Sequence, residues 1–180
     1  IYSLYIYDID FGPSGEIYSI AYDFSGNLTG LHRSFDNGIL WDFIPIDNSN
    51  QNIEVNKFGE IIITGNTQPF WYSADRGTTW EPRGSVYSVC LESDSDDILF
   101  SGTYFFPKHY WGCGYSNDWA KTWNILDSTL LDTYVQSISI SDDKFVYLEC
   151  LRRLNDSAQL LRSMYPLLNY QNPEHKTLFN

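Results

Sequence analysis

One eight-residue stretch, Ser73-Ala74-Asp75-Arg76-Gly77-Thr78-Thr79-Trp80, constrains the fold of this chain more than any other feature, because it recurs. Taken alone it reads as a tight turn between two strands. Asp75 is a short acceptor able to bond backbone N–H groups of its own turn. Gly77 supplies a positive φ without steric cost. Trp80 leads into the next strand and brings a large ring to pack beneath the turn. Ser34, Asp36, Gly38 and Trp41 repeat the same offsets. Ser116, Asp118 and Trp123 repeat them again, with Ala120 in the glycine position. Ser163 to Tyr170 reads as a decayed fourth copy, with Tyr165 in place of Asp and Tyr170 in place of Trp.

The closing aromatics Trp41, Trp80, Trp123 and Tyr170 are 39, 43 and 47 residues apart. A period near forty, filled with short alternating segments and turn residues, indicates propeller blades rather than a single compact domain. The Ser-x-Asp-x-Gly-x-x-Trp pattern resembles the Asp-box, or BNR repeat, of sialidases, xyloglucanases, sortilin-type receptors and photosystem II assembly factors. The resemblance covers most of the chain. It implies an all-β fold of about four four-stranded antiparallel blades, part of a larger ring. It also implies that the box residues hold structure and that ligands bind on the opposite face.

The alternation places an edge strand over 1–13, ended by Gly12-Pro13-Ser14-Gly15, and then repeats over about 15–47, 50–84, 85–131 and 133–172. Each repeat is expected to open on an alternating strand: Ile17 to Ile20, Ile53 to Val55, Val86 to Val89, and Val135 to Ile138. Polar turns follow at Phe24 to Asn27, Asn56 to Gly59, Glu92 to Asp97, and Ser141 to Lys144. Leu148 to Leu161 carries some helical spacing, but the repeat register makes it two strands.

With 23 acidic against 11 basic residues, the net charge is −12. Nucleic acid is therefore not an expected partner, since phosphate binding needs clustered Lys and Arg. No apolar run is long enough to span a bilayer, and no signal peptide is evident. Without Met at position 1, the sequence reads as a processed product or a fragment. Cys90, Cys113 and Cys150 form no CxxC pair, so no metal site and no cofactor is expected. Cys113, between two glycines, reads as the more accessible thiol, and one disulfide or none is compatible with the spacing. Asn27-Leu28-Thr29 and Asn155-Asp156-Ser157 are glycosylation sequons that matter only in a eukaryotic secretory route.

On the face opposite the boxes, Tyr104 to Trp111 is the most unusual connection, with six aromatic rings in eight residues counting His109. Phe105, Phe106, His109, Tyr110 and Trp111, with Gln68 of the Asn66–Pro69 connection, are the candidate ligand-binding residues. They read either as a platform for sugar or protein or as an extension of the blade core. Asp47, Glu81, Asp127 and Asp132 are the acids on that face. They are candidates for a glycosidase pair, or plain solvated loop acids. A sialidase site would need an Arg-Ile-Pro segment that this chain lacks, and the basic patch of the photosystem assembly factors contradicts its charge. The expected function is a non-catalytic recognition or scaffold module of an exported protein, secreted, cell-surface or periplasmic. Its expected partner is protein or glycan, with homo-oligomers formed through open blade edges. The alternatives are a fragment of a xyloglucanase- or sialidase-like glycoside hydrolase and a structural segment of a larger assembly.

Overall fold

A computed structural model describes residues 4–23, 30–46, 50–65, 68–84, 86–105, 110–152 and 157–163. Those residues form fifteen strands and one single-turn 3-10 helix. The first sheet holds β1 (Leu4–Phe11), β2 (Ile17–Asp23), β3 (Gly30–Ser34) and β4 (Asp42–Pro45), in that order. The second holds β5 (Asn50–Val55), β6 (Ile61–Gly65), β7 (Gln68–Ser73) and β8 (Glu81–Arg83). The third holds β9 (Val86–Ser93), β10 (Leu99–Phe105), β11 (Tyr110–Ser116) and β12 (Asn124–Ile125). The fourth holds β13 (Thr133–Ile140), β14 (Val146–Arg152) and β15 (Ser157–Arg162). Every pairing is antiparallel between consecutive strands, so each sheet is a meander closed by hairpins. The fourth octamer lies outside the described residues from 164 onward.

Two compact units divide the chain, Ile1–Arg83 and Gly84–Asn180, each carrying two of the sheets. In the first unit Tyr18, Ile20 and Leu31 of the first sheet pack against Ile53, Val55, Ile61 and Ile63 of the second. In the second, Cys90, Phe100 and Cys113 pack against Val135, Ile138, Val146, Leu148 and Cys150. The core of each unit is thus the space between two sheets. Each large side chain placed there contributes roughly 1.5–3 kcal/mol.

The pairing differs from the sequence reading at the first repeat. Leu4–Phe11 pairs with Ile17–Asp23 inside the first sheet, so Ile17 opens a second strand, and its counterparts are Ile61, Leu99 and Val146. The turn equivalent to Asn56–Gly59 is Gly12–Gly15, not Phe24 to Asn27, which lies outside the described residues. Four hairpins then share one hydrogen-bond pattern. The first residue donates its N–H to the carbonyl four residues on, and its own carbonyl takes the N–H three residues on, at Gly12, Asn56, Asp94 and Ser141. The fourth residue of each turn is left-handed: Gly15, Gly59, Asp97 and Lys144. A bulge also interrupts each first strand four residues before its end, at Tyr7, Gln51, Val89 and Gln136. A bulge breaks the two-residue period, which is why alternation alone misplaced the first repeat.

The recurring octamers close the hairpins between third and fourth strands. Ser73 Oγ donates to Asp75 Oδ1 at 2.8 Å and accepts the N–H of Gly77 at 2.8 Å. Asp75 Oδ1 accepts the N–H groups of Thr78 at 3.1 Å and Thr79 at 2.7 Å, and Oδ2 takes the Thr79 hydroxyl. Asp36 accepts from Ile39 and Leu40, with Ser34 bonded to Gly38 N–H. Asp118 accepts from Thr122 at 2.8 Å, with Ser116 bonded to Ala120 N–H at 2.9 Å. The serine is buried in all three. Trp41 lies at the rim of its turn, whereas Trp80 is half-buried and packs against the core of the first unit. Trp41 is 44% exposed, and the indole N–H groups of Trp41 and Trp80 donate to the carbonyls of Gly38 and Gly77.

The second turn also packs against the first sheet. A Cβ added to Gly77, at φ +83°, would lie 2.5 Å from Leu31 Cδ2. Gly77→Ala is therefore expected to cost left-handed strain of about 1–2 kcal/mol plus crowding of about 1–3 kcal/mol. Gly59→Ala, at φ +79° with nothing nearer than 3.9 Å, is expected to cost the strain alone, about 1–2 kcal/mol. Denaturant unfolding of the two variants checks the difference.

The hydrogen bonds from Thr79 hold the Asp75 carboxyl down at about 2. A folded-state value below the unfolded one stabilises the fold above the ordinary carboxylate range, and the contribution disappears as pH falls toward that value. Asp36 and Asp118 are lowered as well. Burial raises Asp8 and Asp10, and their contribution has the opposite sign, lost as pH rises. Asp75→Asn keeps an acceptor but removes the titration. It is expected to lose less stability than the wild type between roughly pH 4 and pH 2, as read by thermal melts across that range.

Candidate functional site

Because strands alternate in direction, each sheet has one end carrying the first hairpin and the octamer turn. The opposite end carries the connection between second and third strands. In the third and fourth sheets that opposite end is aromatic. Tyr104 pairs across the ladder with Trp111 on one side and Tyr87 on the other. The rings of Tyr104 and Trp111 lie 5.0 Å apart at 54°. Trp111 then meets Tyr134 of the fourth sheet edge-on, at 4.9 Å and 71°. Tyr87, Tyr104, Trp111 and Tyr134 are all half-buried, so each ring has a packed side and a wet side.

The backbone beneath this cluster is fixed by the connection between the two sheets. Asp132 N–H donates to the Trp111 carbonyl at 2.8 Å, and Leu126 N–H to the Cys113 carbonyl at 2.9 Å. Between them Asp127, itself buried, caps the 3-10 turn Ser128–Leu130 by accepting the N–H and hydroxyl of Thr129, both at 2.8 Å. Leu126 and Leu130 enter the core below.

Of the candidate ligand-binding residues, Trp111 sits in this cluster. Phe105 and Tyr110 pair with each other at the strand ends, so the aromatic stretch is largely strand rather than loop. Gln68 opens β7 in the first unit. Phe106 and His109 lie outside the described residues. Tyr134 and Tyr87 were missed by the sequence reading because each looks like an ordinary strand position. Only the register that sets Trp111 beside them shows their part.

Among the candidate acids, Asp47 lies outside the described residues. Glu81 is in β8 and pairs with Arg83 at 2.9 Å, whose guanidinium lies over the Tyr72 ring. Asp127 is spent on its cap. Asp132 occupies a left-handed bend, at φ +62°. Asp127 and Asp132 lie in one connection, on either side of the 3-10 turn, while Glu81 belongs to the first unit.

All three cysteines are free and buried, Cys113 included, against the expectation that it is accessible. The glycines beside it belong to a strand, not a loop. Burial pushes the Cys90 thiol up to about 12 and the Cys113 thiol well above its usual range, so neither is a nucleophile at neutral pH. At the hairpin end of the same two sheets an open cleft of about 220 Å³ is lined by Ser93, Asp94, Ser95, Ile140, Ser141, Asp142 and Lys144. Lys144 is held there by Asp94 at 3.0 Å and Asp96 at 2.9 Å. Among the described residues no group of three His, Cys, Asp or Glu side chains could hold a metal ion. No helix among them is long and apolar enough to cross a membrane.

No protein-family model matches this sequence, and no curated protein matches it. Solved structures do match it in fold. YCF48 bound to D1 peptide superposes on 98% of the chain with a TM-score of 0.62 and 11% identity, and the chain spans 52% of that protein. Hadza microbial sialidase Hz136 superposes on 87% with a TM-score of 0.58 and 14% identity, with 43% of its length covered. PorZ, a surface component of the type-IX secretion system of Porphyromonas gingivalis, superposes on 87% with a TM-score of 0.57 and 10% identity, with 25% covered. The chain thus spans about half or less of each of these structures. At such identities the likeness is one of fold, and that fold is the β-propeller.

Proposed function

We propose that this chain is a non-catalytic recognition module of an exported protein, built on Asp-box blades. It would bind a peptide segment of a protein partner at the aromatic end of its third and fourth sheets. The Tyr104–Trp111–Tyr134 cluster carries this reading. It offers wet ring faces on a rigid strand platform, the composition that dominates binding hot spots. Its backbone is fixed from below by Leu126, Asp127 and Asp132, so little ordering is needed on binding. Glu81, paired with Arg83, and Asp127, used as a cap, support a non-catalytic role, since a glycosidase needs two carboxyl groups about 5–10 Å apart flanking a cleft. YCF48, a fold neighbour, is seen bound to a peptide, and PorZ is described as a surface component. Both support a protein partner and an exported setting.

Screening the folded chain against an immobilised peptide library supplies binders, and Trp111→Ala separates this site from others. The variant is expected to keep its melting temperature within a few degrees and to weaken those binders about tenfold or more. Binders held equally by Trp111→Ala, or hydrolysis of a glycoside substrate by the wild type, would refute the reading.

A further inference from the structure

The connection that ties the third sheet to the fourth, Leu126 to Asp132, carries two charged residues, and both are acids. Asp127 is buried and spends its carboxylate on the Thr129 cap. Asp132 is exposed, and among the described residues its carboxylate makes no hydrogen bond or ion pair. Its place is set by the backbone. The Asp132 N–H donates to the Trp111 carbonyl at 2.8 Å, and its φ is +62°. A carboxylate with no protein partner is thus tethered beside the aromatic cluster, two residues before Tyr134.

The cluster supplies the other half of a cation site. The face of an aromatic ring is electron-rich, so it attracts a cation, and the indole does so most strongly. Trp111 meets Tyr134 at 71°, so the two rings form a corner rather than a flat stack. Among the described residues no cation lies over either ring. Elsewhere the chain completes such an arrangement itself. Arg83 lies 3.1 Å over the Tyr72 ring while it pairs with Glu81 at 2.9 Å. One guanidinium there serves an aromatic face and a carboxylate together, which its planar fork suits better than an ammonium. At Trp111 the ring and the carboxylate recur without the cation.

We propose that the peptide bound at the aromatic end of the third and fourth sheets is anchored by an arginine, its guanidinium stacked on Trp111, walled by Tyr134 and paired with Asp132. This deepens the recognition reading given above and rests on it. A net charge of −12 favours the approach of a cationic segment over an acidic one. Because Asp132 is exposed, its share is electrostatic and weakens with salt, whereas the share of the rings does not.

The peptides that Trp111→Ala weakens supply the test. Each is resynthesised with its arginine kept, changed to citrulline, which retains the plane and loses the charge, or changed to lysine. Fluorescence anisotropy reads their binding to the folded chain at low and high salt. Citrulline is expected to weaken binding about tenfold or more, and lysine to weaken it less. Asp132→Asn tolerates the left-handed bend equally well. It is expected to keep the melting temperature, to weaken the arginine peptides about three- to tenfold and to flatten their salt dependence. Trp111-dependent peptides that lack arginine, or that bind as well with citrulline, would overturn this inference and leave the recognition reading standing. So would an Asp132→Asn variant with unchanged affinity and salt dependence. If no peptide depends on Trp111, the recognition reading falls and this inference falls with it.

Discussion

A serine hydroxyl and an aspartate carboxylate, clasping the N–H groups of their own turn, are what the rest of this structure depends on. Each octamer turn places two consecutive residues in the left-handed region: Asn37 and Gly38, Arg76 and Gly77, Trp119 and Ala120. For a residue with a Cβ this costs about 1–2 kcal/mol, so a free chain would not hold the turn closed. The clasp supplies several local hydrogen bonds at once, each of about that order in net terms. Its sufficiency is clearest in the third turn. There Trp119 and Ala120, at φ +55° and +67°, adopt a conformation normally left to glycine, and Ser116 and Asp118 still close around them.

Fixing the turn fixes the third strand, and the third strand positions the joint between sheets. The serine ends that strand, so the residues one and three places before it share the opposite face by simple alternation. In the first sheet these are Arg33 and Leu31, and both land on the next octamer turn. The joint is tied a second time at the first strands. Asp8 Oδ2 and Asp10 Oδ2 accept the N–H groups of Ile53 and Val55 at 3.0 and 2.6 Å. Those N–H groups sit on a strand edge that would otherwise be open. Burial of the two carboxylates, which raises them, is the cost of satisfying that edge.

The octamers were legible in the sequence because Asp, Gly and Trp at fixed offsets have few other uses. The other repeated turn was legible as a polar break at three of its four places and misplaced at the first. Its first residue changes from Gly12 to Asn56 to Asp94 to Ser141, and its left-handed position from Gly15 and Gly59 to Asp97 and Lys144, so no residue type marks all four although the geometry recurs. The bulges at Tyr7, Gln51, Val89 and Gln136 were not legible, although the strands that carry them were read as strands. They set Val135 and Ile138, three residues apart, in one core. The aromatic cluster was half legible. Trp111 stood out by composition, but Tyr134 became its neighbour only through the packing of one sheet on the next, which no local window contains.

Stacked sheets of this kind have a general consequence. In the first unit the second sheet buries Ile53, Val55, Ile61 and Ile63 against the first, and the same positions recur from sheet to sheet. In the first sheet Ile9, Phe11 and Trp41 are exposed at positions that are buried or half-buried in the second, and in the fourth Leu160 is exposed where Leu31 of the first is buried. A net charge of −12 resists indiscriminate collapse of such faces, and the joint within the first unit combines aliphatic packing with the charged groups of Arg33, Asp8 and Asp10.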